Sequence, residues 1–150
     1  MSDKHIPAEL RRLVAERARQ CCEYCCTQEQ YSADSFTVDH ILPRSLSGPT
    51  TAENLALCCQ GCNQHKATRI IAPDPITGSP SSFFHPRQHR WDDHFAWNED
   101  FTLILGLPPI GRVTIDMLHL NRPGLINLRR VLYAIGEHPP RNDSQQVKNS

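Results

Sequence analysis

Alternating hydrophobic and polar residues in the first half of the chain predict two short β-strands. In SFTVDHI, residues 35–41, the apolar side chains of Phe36 and Val38 alternate with polar ones, which is typical of a half-buried strand. A second apolar run, NLALCC, covers residues 54–59, and the loop between the two runs is rich in turn-forming residues. The segment NQHKATRI, residues 63–70, predicts a short helix. The local order is therefore strand, long loop, strand, helix.

Two longer segments near the ends of the chain have the periodicity of amphipathic helices. IPAELRRLVAERARQ, residues 6–20, has Pro7 near its start, and PGLINLRRVLYAIG, residues 123–136, begins with proline and stops at Gly136. The alternating run FTLILGL, residues 101–107, predicts a further strand. The expected apolar stripes are Leu10, Leu13 and Val14 on the first helix, and Leu125, Leu128, Leu132 and Ile135 on the second.

Length and composition bound the organisation of the chain. A chain of 150 residues with 39% apolar and 21% charged residues is expected to fold as a single globular domain, residues 1–150. No apolar run approaches the roughly 18–20 residues of a membrane span, and the first residues lack the apolar stretch of a signal peptide. A cytoplasmic protein that does not enter a membrane is expected. The domain divides into a core at 20–70, a turn-rich connector at 72–82, an extension at 83–138 and a tail at 140–150 that is expected to be disordered.

The charge of the chain is balanced as a whole but not locally. The formal net charge is zero, which neither favours nor excludes nucleic acid as a partner. A phosphate-binding surface is expected within residues 41–90, because basic residues outnumber acidic ones there. The charged residues in that range are Arg44, Lys66, Arg69, Arg87 and Arg90 against Glu53 and Asp74.

Cysteine is the most informative residue type in this sequence. Seven cysteines fall in two groups, CCEYCC at 21–26 and CCQGC at 58–62, and each group contains a Cys-x-x-Cys. Two such pairs supply the four thiolates that a tetrahedral structural zinc requires, whereas a thioredoxin-like redox site needs one pair in a βαβ unit. Zinc bound by Cys22, Cys25, Cys59 and Cys62 is therefore predicted, with Cys21, Cys26 and Cys58 as adjacent alternatives.

The segments DHILPRSLSG, residues 39–48, and ENLALCCQGCNQHK, residues 53–66, closely resemble the HNH endonuclease family. The resemblance covers residues 20–70, about half the chain, and rests on Asp-His-Ile-x-Pro, Asn-Leu and Cys-x-x-Cys-Asn-x-x-Lys in that order. It implies an α+β protein with a ββα-metal catalytic unit and a structural zinc held by four cysteines. An N-terminal helix and a C-terminal strand and helix extension would flank that unit. From residue 85 onward the layout also resembles that of small stand-alone bacterial HNH proteins.

The resemblance implies roles for individual residues. His40 takes the position of the general base, and Asp39 takes the position of the first ligand of a catalytic divalent ion. Asn54 takes the central asparagine that holds the loop bearing the base. Asn63 takes the second ligand of the ion, at a position where the family often has histidine. His65, two residues later, is a competing candidate for this ligand.

The chemistry of phosphodiester hydrolysis explains why these residue types are needed. A histidine with an ordinary pKa near 6.5 is mostly free to accept a proton from water at neutral pH. Oxygen ligands from Asp39 and Asn63 suit Mg²⁺ or Mn²⁺ better than zinc, so the catalytic ion is expected to be separate from the cysteine-bound zinc. Lys66 matches the lysine of the motif and is expected to contact phosphate or solvent. Arg44 is expected either to contact DNA or to be an ordinary surface residue.

These observations favour a metal-dependent endonuclease acting on double-stranded DNA. The resemblance implies cleavage that leaves 5′-phosphate and 3′-hydroxyl ends. One alternative is a zinc-stabilised nucleic-acid-binding module with a silent catalytic centre. Another is an HNH nuclease that acts on RNA or on nicked or branched DNA. The sequence leaves the recognition site, the biological pathway and the oligomeric state open.

The segment FFHPRQHRWDDHFAW, residues 83–97, is rich in histidine and aromatic residues. A third metal site is one interpretation of His85, His89 and His94. Packing of the aromatic residues Trp91 and Trp97 onto the catalytic unit, with basic residues facing phosphate, is the interpretation that we favour.

Overall fold

The computed structural model describes residues 6–140, so the expected tail lies almost entirely outside the described residues. Within them the chain forms five α-helices, three short 3₁₀ helices and three separate pairs of antiparallel strands. The α-helices are α1 (Ala8–Arg17), α2 (Gln60–Lys66), α3 (Trp91–His94), α4 (Pro109–Leu118) and α5 (Pro123–Ala134), and the strands are β1 (Thr37–His40), β2 (Leu55–Cys58), β3 (Ile71–Pro73), β4 (Pro80–Ser82), β5 (Phe95–Trp97) and β6 (Ile104–Gly106).

The strands β1 and β2 pair antiparallel, with His40 opposite Leu55 and Asp39 opposite Ala56. All four residues of each strand are buried, so the expectation of a half-buried strand at β1 is wrong. Both faces of the strand pair are covered. On one face, Val38, Leu55 and Leu57 pack against α1, and the other face packs against α2 and the cysteines. Since successive side chains alternate, His40 shares the α1 side with Val38, and Asp39 points to the opposite side.

Helix α2 follows β2 directly and begins three residues earlier than the sequence pattern predicted. Cys59 is its N-cap, and the Cys59 Sγ atom accepts a hydrogen bond from the Cys62 amide at 3.4 Å. The helix ends at Lys66 because Ala67 adopts a positive φ of 52°. The predicted order of strand, loop, strand and helix is confirmed.

Helix α1 packs on the β1–β2 pair through Val14, which is fully buried. Leu10 lies against the same cluster, but Leu13 is 46% exposed and does not belong to the buried stripe. Arg17 also links this helix to β2, because its guanidinium donates a hydrogen bond to the carbonyl oxygen of Leu55.

The predicted connector at 72–82 is a short hairpin in the structure. Strands β3 and β4 pair with Pro73 opposite Pro80, and the turn between them is closed by Asp74, whose carboxylate accepts from Thr77 Oγ1 at 2.8 Å. Arg112 of α4 donates to both carboxylate oxygens of Asp74, at 3.0 and 2.8 Å. The hairpin is thereby tied to the C-terminal extension.

The extension forms a compact layer against α2. The predicted strand at 101–107 is confined to β6, which pairs with β5, and α4 packs on both β6 and α2. Helix α5 buries Leu125 and Leu132 as expected, whereas Ile135 lies beyond its end and is 62% exposed. None of the helices within residues 6–140 is both long and apolar enough to cross a bilayer. The architecture is α+β, as predicted.

Candidate active site and metal centre

Four buried cysteines converge at the base of α2. The sulfur atoms of Cys22, Cys25, Cys59 and Cys62 all lie within 4.8 Å of one another. The 3.7 Å distance from Cys25 Sγ to Cys59 Sγ is close to the edge of about 3.8 Å that a tetrahedron with 2.3 Å zinc–sulfur bonds would have. The donor set and its spacing therefore fit a structural zinc ion, with the four ligands that the sequence analysis favoured.

The three remaining thiols do not join this cluster. The four sulfur atoms that the structure brings together do not include those of Cys21, Cys26 and Cys58. These three are buried or half-buried thiols outside the candidate zinc site.

An arginine from the C-terminal extension reaches the cysteine cluster. Arg122 Nη2 lies 3.4 Å from Cys59 Sγ, and Arg122 Nη1 lies 3.7 Å from Cys62 Sγ. Gly61 leaves the room for this approach, because a Cβ atom there would lie 2.4 Å from Arg122 Nη2. The turn between α4 and α5 therefore delivers a cationic donor to two candidate zinc ligands, a contact that no pattern in the sequence indicated.

The imidazole of His40 is held at the end of β1 by a hydroxyl from the following loop. His40 Nε2 lies 2.8 Å from Thr50 Oγ1. Burial lowers the pKa of His40, and the nearby guanidinium of Arg44 lowers it further, whereas the carboxylate of Asp39 opposes the shift. The imidazole is therefore neutral at pH 7 and able to accept a proton.

Asn54 joins the two ends of the loop between β1 and β2. Its Oδ1 accepts from the Leu42 amide at 2.9 Å, and its Nδ2 donates to the carbonyl oxygens of Leu42 and Pro49 at 3.0 and 2.8 Å. Gly48 is required in the same loop, since a Cβ atom there would lie 1.7 Å from the Leu42 carbonyl oxygen. These contacts fix the segment that carries Thr50, as a loop-bracing asparagine should.

Asp39 faces the interior on the opposite side of the strand pair. Its Oδ2 accepts from the hydroxyl of Tyr24 at 2.9 Å and lies 3.1 Å from Lys66 Nζ. Lys66 is 1% exposed and also donates to the carbonyl oxygens of His40 and Ile41. The expectation that Lys66 contacts phosphate or solvent therefore needs correction, because its ammonium is buried against the end of β1.

The candidate ion ligands on α2 point in different directions. Asn63 lies three residues before Lys66 and so on the same face of the helix, the face that meets β1. The ring of His65 instead packs on His119, with ring centroids 4.3 Å apart. Helical spacing therefore places Asn63 on the face of α2 that carries Lys66, while the ring of His65 is engaged with His119.

The donor set of Asp39 and Asn63 fits a divalent ion chemically, since it consists of a carboxylate and an amide oxygen. In the described conformation, however, Asp39 is 6% exposed and already contacts Lys66 and Tyr24. A second cation at this carboxylate requires the ammonium of Lys66 to move away. Arg44 lies on the turn beyond β1 and is exposed.

The segment at 83–97 packs as an aromatic cluster. The rings of Trp91 and Phe95 lie 5.0 Å apart, and His85 Nδ1 accepts from two backbone amides. Within residues 6–140, the cysteine cluster is the only group of three or more His, Cys, Asp or Glu side chains close enough to hold a metal. The structure therefore favours packing over a third metal site here.

The strand pair, the helix after it and the cysteine cluster define a ββα unit built around a metal centre. Residues 22–69 match the family model described as HNH endonuclease. The match confirms, over residues 22–69, the resemblance drawn from the sequence motif.

One curated relative shares more of the chain than this domain. A protein of Vibrio cholerae serotype O1 biovar El Tor, named "Retron Vc95 putative HNH endonuclease", is 29% identical to this chain over 128 residues. The alignment covers 71% of this chain and 54% of the relative, so the chain spans about half the length of the curated relative that it matches. No solved structure gives a significant match.

Proposed function

We propose that this protein is a metal-dependent endonuclease that hydrolyses phosphodiester bonds of DNA, with His40 as the general base. The observation that carries the proposal is the 2.8 Å contact that holds the His40 imidazole on Thr50 at the end of β1, within the residues that match the HNH endonuclease family model. The loop bearing Thr50 is in turn braced by Asn54. A base that is both neutral and oriented is what attack by water on a phosphodiester requires.

Because His40 Nε2 is in contact with Thr50 Oγ1, we propose Nδ1 as the nitrogen that acts as the base. If Nε2 carries the proton and donates to Thr50 Oγ1, the lone pair of Nδ1 is free to accept a proton from water. The attack of that water on phosphorus leaves a 5′-phosphate and a 3′-hydroxyl. Thr50 is then a positioning residue, because it holds the tautomer of His40 and touches no reacting atom.

Asp39 and Asn63 are the residues that would hold the catalytic ion, Mg²⁺ or Mn²⁺. Bound there, the ion would supply positive charge to the scissile phosphate and the leaving oxygen. Lys66 contacts Asp39 in the described conformation, so its ammonium neutralises this carboxylate whenever no ion is bound. The cysteine-bound zinc would be purely structural in this proposal.

Double-stranded DNA is the substrate that we propose, with Arg44 as a phosphate contact on the exposed turn next to His40. The proposed location is the cytoplasm. A second candidate function is nucleic-acid binding without cleavage, stabilised by zinc. The buried ion pair of Lys66 and Asp39 favours this second candidate, because Lys66 occupies the Asp39 carboxylate that the ion would bind.

Cleavage of a supercoiled plasmid in the presence of Mg²⁺ or Mn²⁺ tests the proposal. The parent protein should convert the plasmid to nicked or linear forms, and His40→Asn should lose most of this activity while retaining zinc and thermal stability. His119→Asn is the matched control, since His119 is exposed and lies after α4. Binding without cleavage by the parent protein would support the second candidate. Preferential cleavage of RNA or of branched DNA would confirm a nuclease activity but show that double-stranded DNA is not the substrate.

A further inference from the structure

The structure contains a second cleft, away from the catalytic residues, that we call the arginine cleft. It has a volume of about 320 Å³ and lies between the end of α1, the first cysteine pair and the segment at 86–92. Its charged lining residues are Arg17, Arg19, Arg87, Arg90, Glu23 and Asp92. This volume is at the lower end of the roughly 300–1,000 Å³ range of small-molecule pockets.

The arginine cleft lies across β2 from the proposed catalytic centre. The backbone amide of Glu23 donates to the carbonyl oxygen of Leu57, and Glu23 Oε2 accepts from the Leu57 amide at 2.9 Å. The wall of the cleft therefore runs along the edge of β2 that β1 does not occupy. The cleft is distinct from the site of His40, which lies on β1.

The charges in the arginine cleft do not balance. Four guanidinium groups face two carboxylates, which leaves an excess of positive charge. Arg87 pairs with Glu23 through Nη2, but Arg87 Nη1 is buried and has no hydrogen-bond partner within residues 6–140. Burial lowers the pKa of Arg17, and the neighbouring guanidinium of Arg87 lowers it further. Arginines outnumber carboxylates along this lining, as expected of an anion site.

Aromatic side chains form the apolar part of the same lining. The indole rings of Trp91 and Trp97 lie 5.6 Å apart, and both line the cleft together with Pro86. Trp91 is held in place by the hydrogen bond from its Nε1 to the carbonyl oxygen of Tyr24. A ligand with one anionic end and one flat apolar end matches this combination of guanidinium groups and indoles.

We propose that the arginine cleft binds one nucleotide of a single-stranded nucleic acid, with its phosphate among Arg17, Arg87 and Arg90 and its base or sugar against Trp91. The volume of about 320 Å³ is that of a small-molecule pocket, which is why we propose one nucleotide rather than a duplex. That the ligand is a nucleic acid rests on the proposed function, whereas the anion site rests on the charges alone. A nucleic-acid strand bound in this cleft would lie at the opposite edge of β2 from His40, the proposed general base.

Intrinsic fluorescence tests the proposal directly, because Trp91 and Trp97 are the only two tryptophans of the chain. The zinc-loaded, full-length His40→Ala protein is titrated without added divalent ion, so that no cleavage occurs. The probes are an oligothymidylate of about eight residues, within the site size of single-strand binding folds, and thymidine monophosphate, inorganic phosphate and a hairpin duplex. Both the oligonucleotide and the mononucleotide should quench the fluorescence, and rising salt should weaken the effect.

Substitutions localise the binding. Arg87→Gln and Arg90→Gln should each weaken quenching by roughly tenfold, as expected for the loss of a charge-assisted contact. Arg90 is exposed, so its variant tests binding even if Arg87→Gln disturbs Glu23 and the fold. Arg130→Gln is the matched control, because Arg130 is exposed on α5 and contacts Asn127.

Each outcome decides the proposal. Quenching by the oligonucleotide that Arg90→Gln weakens and Arg130→Gln does not would establish the cleft as the site. Absence of quenching, or equal quenching in every variant, would overturn the proposal. Quenching by the duplex alone would overturn it as well. Because the titration needs no cleavage, a failed plasmid assay with intact quenching would reject the nuclease proposal and keep the cleft.

Discussion

Lys66 Nζ lies 3.1 Å from Asp39 Oδ2, and both side chains are almost completely buried. Burial raises the pKa of the Asp39 carboxyl, and the ammonium of Lys66 and the hydroxyl of Tyr24 oppose that rise. Lys66 comes from the last turn of α2, so the pair also joins the helix to the end of β1. The contact both stabilises the ββα unit and occupies the carboxylate that the proposed ion would use.

Removal of the ammonium should therefore destabilise the fold strongly. We expect Lys66→Met to lower the free energy of unfolding by roughly 3–5 kcal/mol, the usual cost of leaving one buried charge without its partner. Urea denaturation of the zinc-loaded protein measures this. The double variant Lys66→Met with Asp39→Asn should recover part of the loss, because no charge is then left buried. Arg69→Met, at an exposed position after α2, is the control. A loss no larger than that of Arg69→Met would show that the pair is not a buried ion pair in solution.

The pH dependence of cleavage should reflect the lowered pKa of His40. A general base is active when deprotonated, so a lowered pKa keeps it active to lower pH. The rate should be nearly constant above neutrality and should fall only below the ordinary histidine pKa of about 6.5. Arg44→Gln removes a positive charge that lowers this pKa, so the acidic limb should move to higher pH, whereas Arg44→Lys should leave it in place. A pH–rate profile at saturating Mg²⁺ measures the limb. If Arg44→Gln moved it to lower pH, the general base would be a group other than His40.

The fold around the cysteine cluster was predictable because several independent signals agree there. Two Cys-x-x-Cys pairs, an apolar strand and a short helix all lie within a few residues, and each constrains the others. Helix α4 was not predicted, although Ile110, Val113 and Leu118 have helical spacing. Strand β5 was missed because three residues give no periodicity. Ile135 was expected inside α5, but the helix ends one residue before it.

Within the candidate site, the motif indicated residue types but not their contacts. The motif indicated His40 and Asn54, but it did not indicate their contacts with the loop that carries Thr50. Thr50 has no distinctive spacing from either residue. Tyr24 lies between the first two candidate zinc ligands in sequence, but its contact with Asp39 depends on how the strand pair packs. Lys66 was expected to contact phosphate or solvent, but its ammonium is buried against Asp39. Contacts of this kind join residues that are distant in sequence, and the spacing of motifs in a single sequence does not indicate them.

The ligand on α2 can be distinguished by two substitutions. Asn63→Ala should reduce Mg²⁺-dependent cleavage by roughly 100-fold or more, since even outer contacts of a metal site are worth 10–100-fold. His65→Ala should change Mg²⁺-dependent cleavage by less than about threefold, well below the 10–100-fold effect of a contact to a metal site. The reason is that the ring of His65 packs on His119. Asn63→His should shift the preferred ion from Mg²⁺ toward Ni²⁺, Co²⁺ or Zn²⁺, as imidazole favours softer metals. A plasmid assay with each ion measures all three. Severe loss in His65→Ala with little loss in Asn63→Ala would make His65 the ligand.

Zinc retention should depend on a residue of the C-terminal extension. Arg122 donates to Cys59 Sγ and Cys62 Sγ, and its positive charge offsets the negative charge of a zinc ion bound by four thiolates. We expect Arg122→Met to weaken zinc affinity by roughly 10–100-fold, the usual effect of an outer contact. Zinc transfer to a chromophoric chelator measures this without any reference to cleavage.

Gly61 provides an independent test of the same contact. A methyl group at this position would lie 2.4 Å from Arg122 Nη2, so Gly61→Ala should displace the guanidinium and increase zinc loss as Arg122→Met does. Gly124→Ala is the matched control, because no atom lies within 4 Å of a Cβ placed there. The double variant Gly61→Ala with Arg122→Met should lose zinc no faster than Arg122→Met alone, since both changes remove one interaction. Fully additive effects would mean that Gly61 acts on α2 itself. Zinc release from Arg122→Met at the parental rate would show that the arginine contributes nothing to the metal centre.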